Sequence, residues 1–356
     1  MVSVPGELAP PPRIVDWSLF AAVGVAVATG VTSFWLGHPS DAAVFWIHAV
    51  AGLSLLPLLA AKFRRVAGRV RDRRAWDRAT PLSVCLAAVA VAAGATGVGW
   101  ALGVTAPLGV WTLLNLHILF GLLVGPLLLV HLRSRFRPLR GRDVRDRRVA
   151  LQYAALVAAG GATAWILRRL AALLETPAAS RRFTGSRELD AGSDLPVTSW
   201  VVDDPAPVEP AAWTLTVDGR VARPLALGVD DLQPATERRA LLDCTSGWYA
   251  ERDWRGLDLG TLVDAAEPTA DAAWVTVHSV TGYRWSLPLP EAREALLATH
   301  LSGERLDHGH GYPLRLVAPD RRGFQWVKWI ERVEVRRRPD PRQWLAVFVS
   351  GFYSSG

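Results

Sequence analysis

Residues 42–81 read AAVFWIHAVAGLSLLPLLAA followed by KFRRVAGRVRDRRAWDRATP. The first twenty carry no ionisable side chain except His48, and the next twenty carry eight Lys+Arg. An apolar run of about 20 residues has the length of a bilayer-spanning helix, and a basic segment at its end marks the cytoplasmic side. The pattern recurs on either side. Apolar runs at Trp17–Leu36, Leu82–Leu102, Val110–Leu132 and Val149–Leu167 bring the expected spans to five. Loop 133–148 again holds eight Lys+Arg, whereas the short loops 37–41 and 103–109 hold none. The positive-inside rule then puts the N-terminus and both basic loops in the cytoplasm, and everything beyond about residue 174 outside. Trp35, Trp46, Trp100 and Trp111 fall near the outer ends of these runs, where an interfacial aromatic belt belongs. The expected location is the cell membrane, multi-pass, with an extracytoplasmic C-terminal domain. The fifth run opens Asp146-Arg147-Arg148-Val149-Ala150-Leu151. It reads either as a loose twin-arginine export signal or as ordinary basic flanking.

Charge divides the chain in the same place. Residues 1–173 hold 19 Lys+Arg against 7 Asp+Glu, and residues 174–356 hold 21 against 26. The net charge of +7 belongs to the apolar half, which argues for membrane topology and against a nucleic-acid partner. Half of the 356 residues are hydrophobic. The expected organisation is a membrane domain at 1–173, a linker at 174–198, a second domain at 199–338 with a lead-in from about 180, and a tail at 339–356. The only cysteines are Cys85, inside an apolar run, and Cys244, so an intrachain disulfide is not expected.

Ionisable groups inside a bilayer are costly and point to function. His48 and His117 each lie six or seven residues inside the outer end of their helices, roughly 10 Å down at the helical rise. Two imidazoles at one depth suit axial ligation of a haem b, a closed coordination fitted to electron transfer. His131 follows His117 by 14 residues on nearly the same face and is a candidate ligand for a second haem. The position 14 after His48 is Lys62, however, which leaves His131 equally readable as an interfacial residue.

The second half changes period. Trp213–Val217 alternates and ends at Asp218-Gly219, a hairpin signal; Ala273–His278, Leu314–Ala318 and Trp329–Val335 read as further strands, and Pro290–His300 as a short helix. A strand-rich α+β domain follows. Three segments within it carry a resemblance: Leu241-Leu-Asp-Cys-Thr-Ser-Gly-Trp248, His310-Gly-Tyr-Pro-Leu-Arg-Leu-Val-Ala-Pro319 and Gly323-Phe-Gln-Trp-Val-Lys-Trp-Ile330. Together they resemble the molybdopterin-binding domain of the sulfite oxidase family. The resemblance implies that Cys244 supplies a thiolate to molybdenum, a soft ligand for a redox metal. It implies pterin-cofactor contacts at His310, Arg315, Trp326, Val327, Lys328 and Ser279, with a looser match at Thr184 to Glu188. Lys328 is one of only two lysines in the chain.

The chain departs from the sulfite oxidases where they hold anionic substrate. Gly247, Trp248 and Tyr249 stand in place of arginines, and Thr299 in place of a tyrosine. The Cys244-to-Trp248 spacing looks more like the methionine-sulfoxide-reductase branch. The full expectation is a five-helix, cytochrome-b-like membrane domain joined to a molybdenum–molybdopterin oxidoreductase domain. Such a protein transfers an oxygen atom on a small substrate or sulfoxide and exchanges electrons with the quinone pool through haem b. The alternatives are an electron-transfer or pterin-binding module without turnover, and an enzyme whose helices only anchor it.

Overall fold

The computed structural model describes residues 12–104, 111–138, 147–199 and 203–350. Several expectations fall partly outside them: the paired-arginine motif at Asp146, the inner part of loop 133–148, most of loop 103–109, Val110 and the last six residues. The chain divides into two compact units, Met1–Arg187 and Glu188–Gly356.

The first unit holds five long helices: α1 (Pro12–Thr32), α2 (Ala42–Arg71), α3 (Thr80–Ala101), α4 (Leu113–Arg135) and α5 (Arg147–Leu173). All five are long and apolar enough to cross a membrane. α1 packs on α2, α3 on α4, and α5 on α2. Large apolar side chains such as Leu119, Leu129, Val157 and Trp165 face outward. Helices with an apolar exterior need an apolar solvent, because their backbone polar groups are satisfied internally. α2 outruns its apolar stretch by ten residues. There Lys62 and Arg65 both pair with Asp16 at 2.5 Å. Pro57 and Pro126 interrupt α2 and α4 at interior positions.

The second unit is built on two sheets. One follows the order β1-β5-β8-β10, with β4 on β5 and β9 on β8; the other runs β3-β2-β11-β6-β7. In the first sheet β1 is Arg187–Glu188, β4 Thr236–Cys244, β5 Trp248–Asp258, β8 Leu296–Leu301, β9 Glu304–Arg305 and β10 Arg315–Val317. In the second β2 is Leu215–Gly219, β3 Leu225–Leu227, β6 Trp274–Ser279, β7 Arg284–Pro288 and β11 Ile330–Arg336. β11 joins β2 in parallel and β6 antiparallel. Fully buried Leu215, Val217, Val277, Leu287, Leu316 and Val333 fill the core.

The helix expected at Pro290–His300 is a correction. Only Leu289–Ala292 is helical (α7), and Leu296–Leu301 is a strand. Leu296, Leu297 and Ala298 are buried on both faces of their sheet, and a short unbroken apolar run has no period to separate strand from helix. Described residues of the segment 339–350 dock on the second sheet. Within α8 (Gln343–Val349) the Gln343 side-chain carbonyl accepts from Ser286 N at 2.8 Å, and Trp344 packs edge-on against Trp285.

Candidate functional site

Cys244 is the last residue of β4 and is paired across the hairpin with Trp248, the first residue of β5. The turn closes through Gly247 N donating to Cys244 O at 3.0 Å. Gly247 has φ +100, a conformation that glycine adopts without the Cβ penalty. The thiol is 7% exposed. Its sulfur lies 3.0 Å from Ser246 Oγ and 3.4 Å from Thr198 Oγ1. Beneath it, Asp243 and Arg322 form a buried ion pair at 3.1 Å. A Cβ at Gly323 would come within 3.2 Å of Cys244 Cα, so a bare glycine lets the two segments meet.

Two cations converge on this thiol. Arg315 is buried over the rings of Trp254 and Trp326, 5.5 and 6.0 Å from their centres, and Nη1 donates to His310 O at 3.2 Å. Burial pulls its guanidinium down to about 10, and the nearby Cys244 works the other way. Lys328 donates to Gly309 O at 2.7 Å and Thr198 O at 2.9 Å. Burial first and Arg315 second push its ammonium down to about 7, against the pull of Cys244, Asp203 and Asp307. Gly311, at φ +105, brings the His310 loop onto the Lys328 stem, where a Cβ would sit 3.0 Å from Lys328 Cβ.

The other expected residues each make contacts of their own. Both His310 ring nitrogens meet oxygens, Asp307 Oδ2 at 2.8 Å and Leu195 O at 2.9 Å, so the ring braces its loop against the lead-in segment. Val327 O accepts from Leu316 N, and Trp326 Nε1 donates to Arg321 O, which ties this stretch to β10. Ser279, buried, bonds Thr281, whose hydroxyl reaches the carboxyl of Asp203. Burial raises that carboxyl above the ordinary range. Glu188 is exposed and accepts from Tyr249 OH at 3.2 Å. Thr184, buried, belongs to the first unit.

Sequence reading missed Thr198, Asp203 and His308. The first two lie in an irregular segment whose contacts are far away in sequence. His308 stands two residues before His310; its Nε2 donates to Pro205 O at 3.0 Å. Buried nitrogens without a hydrogen-bond partner among the described residues include Trp248 Nε1, Trp254 Nε1, Arg315 Nε and His308 Nδ1. Unpaired buried donors are costly, and those on Trp248, paired across the hairpin with Cys244, and on Arg315, whose charge acts on its thiol, fit an anionic, acceptor-rich group.

The helical unit brings two expected residues together. The His48 and His117 ring centres are 5.8 Å apart and the rings nearly perpendicular. Two metal–nitrogen bonds of about 2 Å plus two ring radii give roughly 6 Å, so the spacing is compatible with two imidazoles sharing one metal ion. His48 Nδ1 donates to Ala26 O and His117 Nδ1 to Ala93 O, both at 2.9 Å, which leaves each Nε2 available. Such a bond fixes the tautomer and orientation of a ligating imidazole. A Cβ on Gly30 would meet His48 at 3.0 Å, and one on Gly97 would meet His117 at 2.8 Å. Open space adjoins Gly52 and Gly121, one turn below each histidine.

An internal repeat accounts for this match. Ala26-Val-Ala-Thr-Gly30 on α1 corresponds to Ala93-Gly-Ala-Thr-Gly97 on α3. His48, Gly52 and Pro57 on α2 correspond to His117, Gly121 and Pro126 on α4 at identical spacing. The signal stands in the sequence, and a search for repeats finds it. His131 lies apart from the pair, its Nδ1 3.1 Å from Ser83 Oγ, while Lys62 pairs with Asp16.

Comparison with known proteins bears on the second unit. Residues 202–344 match the family model described as an oxidoreductase molybdopterin binding domain. The chain is similar to the protein-methionine-sulfoxide reductase catalytic subunit MsrP of Gluconobacter oxydans (strain 621H). The two are 34% identical over 170 residues, covering 41% of this chain and 54% of that protein. The chain therefore spans about half the length of this curated relative. Among solved structures, the sulfane dehydrogenase SoxCD from Paracoccus pantotrophus aligns at 25% identity and a TM-score of 0.36, over 38% of this chain and 40% of that one.

Proposed function

We propose, from the premise that residues 202–344 are an oxidoreductase molybdopterin-binding domain, that the chain is a membrane-bound molybdenum oxidoreductase acting on a sulfoxide or a small oxo-substrate. The buried thiol of Cys244, facing Arg315 and Lys328 amid unpaired donors, is the observation that carries this reading. When bound, the molybdenum–pterin group supplies two-electron oxygen-atom transfer, chemistry that no side chain offers. Cys244 would hold the metal through its thiolate. Arg315 and Lys328 would hold the phosphate end of the pterin, for which a guanidinium offers paired, directional donors. Trp254 and Trp326 would keep water from that end, and His310 would fix the loop beside it. The similarity to a methionine-sulfoxide reductase supports sulfoxide as the substrate class. Reduction of a sulfoxide consumes two electrons and two protons and yields a sulfide and water.

The helical unit would supply those electrons singly. His48 and His117 would hold one haem b through their ring nitrogens, with the quinone pool as its partner. Support comes from the carbonyl-anchored Nδ1 atoms, the 5.8 Å spacing and the clearance at Gly30 and Gly97. A second haem at His131 has no comparable support. The orientation follows from the basic loops, with the second unit outside the cytoplasm. The test is purification of the full-length protein in detergent, with assay of molybdenum, pterin and haem, then turnover of methionine sulfoxide, dimethyl sulfoxide and sulfite. Stoichiometric molybdenum with sulfoxide turnover is the expected result. A protein that binds neither molybdenum nor pterin would end the proposal.

A further inference from the structure

Outside the two sites already described, Arg181 of the helical unit is a cation with two buried, unmet donors. Its Nη1 donates to Gly185 O at 2.8 Å, but Nε and Nη2 are buried with no hydrogen-bond partner among the described residues. Burial first and Arg187 second pull the guanidinium down to about 10. Each unmet donor on a buried guanidinium carries a desolvation cost that a matching acceptor would remove. The guanidinium lies flat over Trp100, 3.8 Å from the ring centre, and Trp100 Nε1 donates to the same Gly185 carbonyl at 3.1 Å.

The position of that stack is informative. Trp100 follows Gly97 by three residues on α3, so the two share a face about 4.5 Å apart along the axis. Gly97 is the residue whose missing side chain makes room for His117. The same short segment reaches the other histidine's helix. Phe183 packs edge-on against Phe45 at 5.3 Å, and Phe45 lies one turn before His48 on α2. Arg182 Nη2 donates to Gly37 O at 3.1 Å, beyond the end of α1. Residues 181–183 thus cap one end of the His48–His117 pair from both sides, and Arg181 Nε and Nη2 have no hydrogen-bond partner among the described residues.

We propose that Arg181 binds a propionate carboxylate of the haem held between His48 and His117, through Nε and Nη2. This inference rests on the haem reading above and assigns the polar edge of that haem. A guanidinium presents two parallel N–H groups that match a carboxylate, and the pairing is strong where water is excluded. Stacking on Trp100 and the bond to Gly185 O hold the fork in place before the carboxylate arrives.

The test compares haem with its dimethyl ester, in which both carboxylates are blocked, in full-length wild type and in Arg181→Gln and Arg181→Lys. Loss of one charged hydrogen-bonded pair corresponds to roughly tenfold faster haem release. Wild type should therefore release the ester about tenfold faster than haem. Arg181→Gln should release both at similar, faster rates and show a lower haem midpoint potential, because a positive charge that favours the ferrous state is gone. Arg181→Lys should recover most of the potential and only part of the retention. An ester penalty undiminished in Arg181→Gln would overturn the proposal, as would unchanged retention and potential. An effect that appears only in nanodiscs of anionic lipid would overturn it in favour of a headgroup site. A wild-type protein without haem absorbance would instead refute the haem reading on which it stands.

Discussion

At the scale of single residues the proposed chemistry rests on Cys244 and Lys328, and each makes a separable prediction. Cys244→Ser removes a sulfur and little volume, so the fold should survive at a cost of about 1–2 kcal/mol, while turnover falls to background. X-ray absorption at the molybdenum edge checks the reason: the variant should lose one sulfur ligand, and an unchanged sulfur count would remove Cys244 from the metal. Lys328 predicts a pH dependence. Its folded-state ammonium titrates near 7, well below the ordinary lysine value, so the unfolded chain binds more protons between about pH 7 and 10. The cofactor-free protein should then gain stability as pH rises through that window. Anion binding runs the other way, because a phosphate needs the charged ammonium. Pterin affinity should weaken as pH rises above 7 in wild type and become flat in Lys328→Met, as measured by cofactor retention after gel filtration at each pH. An equally steep profile in the variant would place the titrating group elsewhere.

Among the elements, close approaches decide which glycines matter. β5 crosses β8 at Gly256, where a Cβ would fall 2.0 Å from Leu297 O and 2.6 Å from Ala298 Cα. Gly256→Ala must push two central strands apart and should destabilise the second unit by about 3 kcal/mol, seen as a lower midpoint in urea. Gly97→Val meets the His117 ring in the same way, and its effect should be local: haem absorbance lost with helix content by circular dichroism retained. Haem retained in Gly97→Val would mean that the imidazole does not need that clearance. Elements also show where sequence reading succeeds. The five apolar helices stand out because each is a long run of one kind, whereas the β4–β5 hairpin that presents Cys244 was not read as strands. Leu296–Leu301 was hidden because burial on both faces erases alternation. Thr198 and Asp203 were hidden because an irregular segment has no period and earns its place by contacts distant in sequence. The paired Ala-x-Ala-Thr-Gly and His-x3-Gly-x4-Pro segments were legible throughout, and a repeat search would have linked Gly30 and Gly97 to the histidines they accommodate.

For the whole molecule, a helical unit proposed to hold haem and a molybdopterin-binding unit would work together in one membrane protein. The orientation prediction follows from loops 62–81 and 133–148, each with eight Lys+Arg. Protease added to cells with a permeabilised outer layer should cut within the second unit and spare loop 62–81; the reverse pattern would invert the topology. The central claim is that electrons on the haem reach a sulfoxide through the centre built on Cys244. It is tested most directly by following the haem absorbance of the dithionite-reduced full-length protein, freed of excess reductant, after addition of methionine sulfoxide. Wild type should be reoxidised to the ferric form while Cys244→Ser, carrying the same haem, stays reduced. Reoxidation at equal rates in the two proteins, or no reoxidation of a molybdenum-loaded wild type, would contradict it.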